Sequence, residues 1–535
     1  MSLFNYRRRP TRPVRVGGIT VGGDAPVRLQ SMCNTPTVDT AASVAQTLRI
    51  VANGGEIVRL TTQGVREAAN MAEIKRGLRE VGCEVPLVAD VHFNPKAAFE
   101  AATTCDKVRI NPGNFVGAGS GEDKIRESLV PFLDLCKEHH TAVRLGVNHG
   151  SLSPDIMERY GDTPEGMVES ALQYLRICRE ENFHDVVISI KSSNVVVMTQ
   201  TVRLLAERMA AEGMDYPLHL GVTEAGDGED GRVKSAVGIG SLLAEGLGDT
   251  IRVSLSEDPE DEIPVAAALR DHIAARNGHA SIEEPETISD SPLRDKARRV
   301  APLGETTWPL VEGKDYSRDQ ISAIEIDASQ PVETAMPKEG PDDCAIRITS
   351  NHVNAPGEIA SWIERYYAAG GDAPVIIKLA YDGALAADEV RLRAAADFGV
   401  LLLKGYGNAL ELDAPSLSDE ERIALLLGIL QACRLRISKT EYISCPSCGR
   451  TLFDLQKTLA EVKKATAHLV GLKIGVMGCI VNGPGEMADA DYGYVGAGPG
   501  RVSIYKGKTQ MLKNIPAEEA LDALLALIEH DNLAR

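Results

Sequence analysis

The chain has 535 residues, of which 76 are acidic and 57 are basic, so its formal net charge is −19. At about 150 residues per domain, this length predicts three or four domains, although a single barrel can use about 250. Such an acidic chain is poorly matched to nucleic acid or to an anionic membrane surface, and no apolar run approaches the roughly 18 residues of a membrane span.

The cysteines and the N-terminus both bear on the cellular compartment. Seven of the ten cysteines are scattered singly along the chain, which is typical of a reducing compartment. The basic N-terminus lacks the apolar segment of a secretory signal. The sequence therefore predicts a cytoplasmic protein.

From Pro26 onward, short strand patterns alternate with helical patterns about every 30 residues, which is the rhythm of repeated βα units. Helix start signals lie at Thr37-Val38-Asp39-Thr40, before a helix predicted at 41–51, and at Thr163-Pro164-Glu165, before one predicted at 167–179. Eight such units predict a TIM (β/α)8 barrel, within an α/β fold. The eight strand candidates are residues 27–32, 56–60, 86–91, 107–110, 142–147, 185–190, 217–222 and 250–255.

Polar residues stand where the predicted barrel strands end, which is where TIM barrels carry their functional side chains. Five cations with neutral donors among them predict an anion site, best matched by a diphosphate because guanidinium groups fit phosphate oxygens. The alternative is that each residue only forms hydrogen bonds within the turn that follows its own strand. This alternative explains a single residue more easily than it explains the whole ring. The predicted binding residues are Arg59, Asp90, His92, Arg109, Asn111, Arg144, Asn148, Lys191, Arg252 and Ser254, with Thr61 beside them.

One acid, Glu224, lies among these cations and is the candidate for donating or relaying a proton. The position of Glu224 in the sequence fits a structural role equally well. It could instead neutralise Lys191 or Arg252.

After the barrel, residues 258–277 predict a closing helix, and a polar, proline-marked linker places a boundary near residue 280. Residues 300–435 carry further α/β patterns, with strands predicted at 344–349, 375–380 and 400–403 and helices at 386–398 and 420–434. Their strand ends have few site-like residues, so a structural role is predicted. The predicted domains are 1–280 (barrel), 281–436 (inserted α/β domain) and 437–535 (α+β C-terminal domain).

The last domain carries three thiols in a pattern that suits a metal cluster. Cys445 and Cys448 form a Cys-x2-Cys pair, and Cys479 comes from a separate glycine-bounded loop. Zinc is disfavoured because the only nearby histidine, His468, lies in a helical run. Three thiolates suit a [4Fe–4S] cluster with one iron free of cysteine, for which Glu486 is the candidate weak ligand. The alternative is a buried turn with unrelated thiols.

The rest of this domain predicts a helix at 455–469, strands at 472–476 and 501–505, and a helix at 517–528. The glycine-rich residues 493–500 are predicted to form a loop near the cluster, since no helix follows them as it would in a phosphate-binding loop.

Several segments together resemble the iron–sulfur 4-hydroxy-3-methylbut-2-enyl diphosphate synthases of the methylerythritol phosphate route to isoprenoids. Cys33 and His149 depart from that pattern, where threonine and a small residue are usual, but neither is a predicted ligand. The resembling segments are residues 30–32, 56–59, 88–93, 109–114, 144–148, 216–226, 248–255, 444–451 and 478–486.

The resemblance implies a ligand set and a reaction. Cys445, Cys448, Cys479 and Glu486 would hold a [4Fe–4S] cluster, the arginines and Lys191 would grip a diphosphate, and Glu224 would lie near the reacting carbons. The implied reaction is reductive ring opening and dehydroxylation of 2-C-methyl-D-erythritol 2,4-cyclodiphosphate. Two electrons from ferredoxin or flavodoxin would pass singly through the cluster. The iron that lacks a cysteine ligand would bind a substrate oxygen after Glu486 dissociates from it.

The inserted middle domain resembles the longer, three-domain form of this family, which is also found in plants. In the short forms, the resemblance implies that the cluster domain caps the barrel of a partner subunit. Here the inserted domain is a folded spacer of about 150 residues, roughly 30 to 40 Å across, which could bring the cluster domain back over the barrel of its own chain. The sequence therefore predicts an active site closed within one chain, although a dimer stays possible.

Two other functions stay open at this stage. A non-redox dehydratase would use the iron only as a Lewis acid and would turn over without a reductant. A binding or regulatory protein would merely fold its last domain around zinc and would be colourless.

Overall fold

The computed structural model describes residues 2–116, 121–335, 344–480, 485 and 487–533. Its contacts divide the chain into two compact units. The barrel unit comprises Pro10–Arg232, Gly248–Ala267 and Lys439–Arg535, and the middle unit comprises Met1–Arg9, Val233–Leu247 and Ala268–Ser438. The predicted three-domain division at residues 280 and 436 is not tested by these units and stays a prediction.

The predicted TIM barrel is confirmed. Its eight parallel strands follow the order β8-β7-β6-β5-β4-β3-β10-β9, and a parallel bridge between Ile188 and Leu218 brings β8 beside β9. The strands are β3 (Arg28–Met32), β4 (Ile57–Thr62), β5 (Leu87–Val91), β6 (Lys107–Ile110), β7 (Ala142–Asn148), β8 (Val186–Lys191), β9 (His219–Leu220) and β10 (Thr250–Ile251).

A short hairpin, which the sequence patterns did not predict, closes the N-terminal end of the barrel. Strands β1 (Val14–Val16) and β2 (Ile19–Val21) pair antiparallel. Their valines pack in one fully buried cluster with the first residues of the barrel strands, among them Ile57 and Val88. These apolar side chains cover this end of the barrel, so the functional site is expected at the opposite end, where the strands finish.

Helices alternate with these strands along the chain, and two of them begin at the predicted start signals. Asp39 caps α1 by accepting a hydrogen bond from the Ala42 amide at 3.0 Å, and Thr163 caps α6 from the Gly166 amide at 3.2 Å. The helices are α1 (Thr40–Ala52), α2 (Val65–Glu80), α3 (Pro95–Ala102), α4 (Glu122–His139), α5 (Pro154–Tyr160), α6 (Pro164–Glu180), α7 (Val195–Ala211), α8 (Gly228–Ser235), α9 (Ser241–Ala244) and α10 (Glu262–Ala274).

The middle unit contains a parallel sheet of order β11-β15-β14-β13-β12. Its strands are β11 (Leu310–Val311), β12 (Ala323–Asp327), β13 (Ala345–Thr349), β14 (Val375–Ala380) and β15 (Ala409–Asp413), and its helices are α11 (Ala355–Ala368), α12 (Ala387–Leu403) and α13 (Asp419–Ala432). The strand predicted at 400–403 is wrong, since these residues form the last turn of α12. A short apolar run cannot by itself distinguish a buried helix end from a strand.

The last part of the barrel unit is an α+β layer of order β16-β17-β18-β19-β20, parallel up to β18 and antiparallel beyond it. Its strands are β16 (Glu441–Ser444), β17 (Lys473–Met477), β18 (Tyr492–Gly498), β19 (Arg501–Lys506) and β20 (Thr509–Pro516). Helices α14 (Leu455–Thr466) and α15 (Ala517–Leu533) complete it.

The glycine-rich stretch is a strand rather than the predicted loop, because β18 covers most of residues 493–500. Its glycines permit close packing. A Cβ atom on Gly493 would lie 2.1 Å from the Met487 Cε atom, and one on Gly496 would lie 2.4 Å from the Gly478 carbonyl oxygen. Glycine inside a strand commonly marks such a close approach.

Every helix in the described part of the chain is too short or too polar to cross a lipid bilayer.

Candidate active site

One cavity within the barrel unit is lined both by barrel strand ends and by the cysteine loops. It encloses about 690 Å³ of space free of atoms, part of which is continuous with solvent. Asn111 is not among the lining residues, and Glu486 lies outside the described residues. The predicted residues on its walls are Arg59, Asp90, His92, Arg109, Arg144, Asn148, Lys191, Glu224, Arg252, Ser254, Cys445, Cys448 and Cys479.

Strand register brings the first of these side chains together. Asp90 pairs across β5 and β6 with Arg109, which pairs across β6 and β7 with Arg144. Side chains of directly paired residues point to the same face of a sheet, and here that face is the barrel interior. Three consecutive strands therefore direct one carboxylate and two guanidinium groups to the same wall.

The Asp90 carboxylate is a hub for the surrounding cations. Its oxygens lie 3.3 Å from Arg109 Nη1, 3.4 Å from Arg450 Nη2, 3.9 Å from Arg144 Nη2 and 4.0 Å from Arg59 Nε. Burial alone would raise the pKa of Asp90, but the charges of Arg59 and Arg109 outweigh it and hold that pKa well below its usual range. Asp90 is therefore ionised.

His92 is neutral in this environment. Burial, followed by the charge of Arg109, lowers the pKa of His92 to about 3. An Arg109 guanidinium nitrogen contacts the His92 ring, and its Nη2 donates to the Gly146 carbonyl at 2.9 Å and to Asn148 Oδ1 at 2.8 Å. Arg109 is thus held by its neighbours in a fixed position.

Arg144 has two donor groups that the described residues leave unused. It is fully buried, yet its Nε and Nη1 groups find no hydrogen-bond partner among the described residues. Buried polar groups in native proteins are nearly always paired. The exception indicates that a ligand with acceptor oxygens completes this site.

The cavity carries an excess of positive side chains. Six cationic side chains line it against two carboxylates, Asp90 and Glu224. Arg252 is balanced separately, because it donates to the buried Glu262 carboxylate at 2.9 and 2.8 Å. Burial and the nearby guanidinium groups hold the pKa of Lys191 well below its usual range. A bound anion would relieve this repulsion and favour the charged form of Lys191.

Glu224 occupies a backbone conformation that is uncommon for its residue type. Its φ of +48° lies in the left-handed region, and the Thr223 hydroxyl donates to its carboxylate. The next residue, Ala225, forms a parallel bridge with Ser444, which immediately precedes Cys445. Strained residues of this kind cluster at functional sites.

The two cysteine loops are fixed to each other and to the barrel. The Leu452 amide donates to the Gly478 carbonyl at 3.1 Å, and the Gly478 amide donates to Cys445 Sγ at 3.3 Å. From the barrel, the Ser256 hydroxyl donates to the Cys445 carbonyl at 3.0 Å and lies 2.7 Å from the Ser444 hydroxyl.

The donor set fits an iron–sulfur cluster. Amide and guanidinium hydrogen bonds to cysteine sulfur, as at Cys445 and Cys448, are characteristic of such sites. Burial would raise the pKa of Cys448, but Arg450 outweighs it and the pKa is lowered, whereas burial raises the pKa of Cys445. In the described ranges, no three Cys, His, Asp or Glu residues stand at the spacing of a single metal ion. A four-iron cluster is larger than one ion and needs its thiolates further apart.

Eight cavity residues had no role assigned from sequence: Met32, Thr223, Pro446, Ser447, Arg450, Thr451, Met477 and Gly478. Arg450 is the most informative, because it contacts both Cys448 and Asp90. The signal available in the sequence was a lone cation two residues after the Cys-x2-Cys pair. No sequence signal indicated its contact with a residue 360 positions away.

The middle unit offers a contrast to this cavity. Three of its cations are paired with acids: Lys378 lies 3.0 Å from Asp413, Arg347 2.9 Å from Glu411 and Arg318 2.6 Å from Asp413. Cations that are already neutralised in this way do not form an anion site. This pairing is consistent with the predicted structural role.

Two family models match the chain. The model described as the GcpE TIM-barrel domain matches residues 11–267, and the one described as the GcpE protein C-terminal domain matches residues 441–530. The barrel strands and the three cysteines fall within these ranges.

Several relatives match over nearly the whole chain. A protein of Bacteroides fragilis is 51% identical over 99% of this chain and 97% of its own length, and one of Parabacteroides distasonis is 48% identical over 99% of both. A protein of Leptospira interrogans is 38% identical over 99% of this chain and 98% of its own. All three are named 4-hydroxy-3-methylbut-2-en-1-yl diphosphate synthase (flavodoxin). The chain therefore belongs to the GcpE family, the enzyme family of these diphosphate synthases.

Proposed function

We propose that this chain reduces 2-C-methyl-D-erythritol 2,4-cyclodiphosphate to 4-hydroxy-3-methylbut-2-enyl diphosphate. The reaction takes up two electrons and two protons, opens the cyclodiphosphate ring and releases one hydroxyl as water. The observation that carries the proposal is the single cavity whose walls combine an excess of cations with three cysteine thiols. The names of the relatives identify the product class.

The barrel wall is suited to hold the diphosphate. Arg144 has two buried donor groups without partners in the described chain, and Lys191 lies on the same wall. Charge-assisted hydrogen bonds from such groups to phosphate oxygens are short and strong. Asn148 and Ser254 add neutral polar groups to the same wall, and Asp90 keeps the guanidinium groups together before substrate arrives.

The cysteine wall is suited to hold the redox group. Cys445, Cys448 and Cys479 would ligate a [4Fe–4S] cluster, and Glu486 remains the predicted fourth ligand. When bound, such a cluster supplies one-electron transfer and an iron that lacks a cysteine ligand. Met477 and Gly478 lie beside the thiols on the cavity wall and help to limit the access of water to them.

Glu224 is the group that we assign to proton transfer. It lies on the cavity wall, and its neighbour Ala225 bridges to Ser444 beside Cys445, so Glu224 stands between the two halves of the site. Its carboxyl oxygen would deliver a proton to the hydroxyl oxygen that leaves as water. The hydrogen bond from Thr223 fixes the direction of that carboxyl group.

Flavodoxin is the electron donor that we favour over ferredoxin, because the relatives are named for it. A donor could approach at the Cys479 loop, where the neighbouring Ile480 side chain is 54% exposed. All ten cysteines are free thiols, which supports a reducing compartment and the predicted cytoplasmic location.

The decisive assay uses protein purified without oxygen, the cyclodiphosphate and chemically reduced flavodoxin. We expect the diphosphate product only when reductant is present, together with a brown protein that contains iron and sulfide. Product formed without reductant would favour the dehydratase. A colourless protein that binds no cyclodiphosphate would favour the binding protein.

Arg144→Ala is expected to weaken cyclodiphosphate binding about 10- to 150-fold, the equivalent of losing a charged hydrogen bond of roughly 1.5 to 3 kcal/mol. Iron content should be unchanged, because Arg144 belongs to the barrel wall. Calorimetry on oxidised, resting enzyme measures this affinity without turnover. Arg66→Ala, at an exposed position on α2, is the matched control and should bind like wild type. Equal affinity in both variants would remove Arg144 from the diphosphate site.

A further inference from the structure

Arg450 joins the cysteine loop to the barrel wall through a single side chain. It follows the Cys-x2-Cys pair by two residues and is 7% exposed. Its Nε group donates to Cys448 Sγ at 3.5 Å, and its Nη2 group lies 3.4 Å from Asp90 Oδ2. The guanidinium group therefore lies between a predicted cluster ligand and the carboxylate at the centre of the anion site.

The contact with sulfur has a consequence for electron transfer. Hydrogen bonds to cluster sulfurs and the local net charge are two of the factors that set the reduction potential of an iron–sulfur cluster. Reduction adds negative charge, which a nearby guanidinium group stabilises. Arg450 should therefore make a cluster bound at Cys448 easier to reduce.

The contact with Asp90 acts in the opposite direction. Asp90 is buried and ionised, and its negative charge partly offsets that of Arg450. The charge experienced at Cys448 thus depends on how strongly Asp90 is paired with its other partners, Arg109 and Arg59. Those partners line the cavity that the substrate would enter.

We propose that Arg450 raises the reduction potential of the cluster held by the three cysteines, and that Asp90 moderates this effect through its contact with the same guanidinium group. The inference rests on the proposed function, because it requires the cluster to be present. It makes Arg450 a positioning and tuning residue that acts through Cys448.

The test is the midpoint potential of the cluster, measured by electron paramagnetic resonance at a series of poised potentials on substrate-free enzyme. Arg450→Met should shift the potential to a more negative value than wild type, and Arg450→Lys, which keeps the charge but changes the contact, should lie between them. Asp90→Asn should shift it to a more positive value. Arg501→Met, at an exposed position on β19, is the control and should match wild type.

Iron and sulfide analysis of each variant separates the possible failures. A wild-type protein without iron and sulfide would overturn the proposed function and this inference with it. An intact cluster in Arg450→Met with the wild-type potential would overturn the inference alone. If Arg450→Met loses the cluster, the midpoint potentials of Arg450→Lys and Asp90→Asn provide the test instead. A shift of the Asp90→Asn potential to a more negative value would contradict the role assigned to Arg450 and Asp90.

Discussion

Replacing Cys448 by serine is expected to abolish both the iron–sulfur cluster and turnover. The serine hydroxyl is not deprotonated at neutral pH, so it cannot replace the thiolate that iron requires. The substitution also removes the sulfur that accepts the hydrogen bond from Arg450. Iron and sulfide content, the visible spectrum and the reductant-dependent rate should all fall to background.

The matched control is Cys83→Ser, because Cys83 is a half-buried thiol that does not line the cavity. This variant should keep a full cluster and the wild-type rate. A Cys448→Ser protein with normal iron content and normal turnover would show that Cys448 is not a ligand.

Glu224→Gln is expected to lower turnover by roughly 10²- to 10⁴-fold, the usual contribution of a positioned proton donor. Glutamine keeps the shape of the side chain and its hydrogen bond from Thr223 but cannot deliver a proton. Cluster content and cyclodiphosphate affinity should therefore stay near wild type. Single-turnover measurements with pre-reduced enzyme separate this loss from slow electron delivery.

Asp258→Asn is the control for Glu224, since Asp258 is an exposed acid beyond the last barrel strand and does not line the cavity. It should turn over like wild type. Wild-type turnover in Glu224→Gln as well would leave that residue with only a structural role, neutralising Lys191 or Arg252.

The barrel could be predicted because each βα unit carries its own local signals. The eight predicted strands overlap the eight observed ones, and the caps at Asp39 and Thr163 form as their sequences indicate. Once the strands are parallel and closed into a ring, their C-terminal ends necessarily meet. That geometry explains why most of the predicted binding residues line one cavity.

Features that depend on packing between distant segments could not be predicted. The glycines of β18 look like a loop in sequence, yet they are required because Met487 and Gly478 pack against that strand. Residues 400–403 resemble a strand because they form a short apolar run, although they end a helix in which Val400, Leu401 and Leu402 are buried. In both cases the local pattern is compatible with two structures, and tertiary contacts select one.

The contacts that join the barrel wall of the cavity to the cysteine loops could not be predicted from the sequence either. Arg450 and Asp90 are separated by 360 positions, and Ser256 and Ser444 by 188. These contacts lie within one compact unit of a single chain. They support the prediction that one chain supplies both the barrel wall and the cysteine loops, without a partner subunit's cluster domain.

A mixing experiment tests this central claim most directly. Cys479→Ser lacks a predicted cluster ligand and Lys191→Ala lacks a predicted diphosphate ligand, so each variant should be inactive alone. The two chains are mixed, or co-expressed with different tags and purified through both, under conditions that allow subunits to exchange. If each chain closes its own site, the mixture should stay inactive. Recovery of a substantial part of the wild-type rate would show that the site is shared between subunits and would contradict the account.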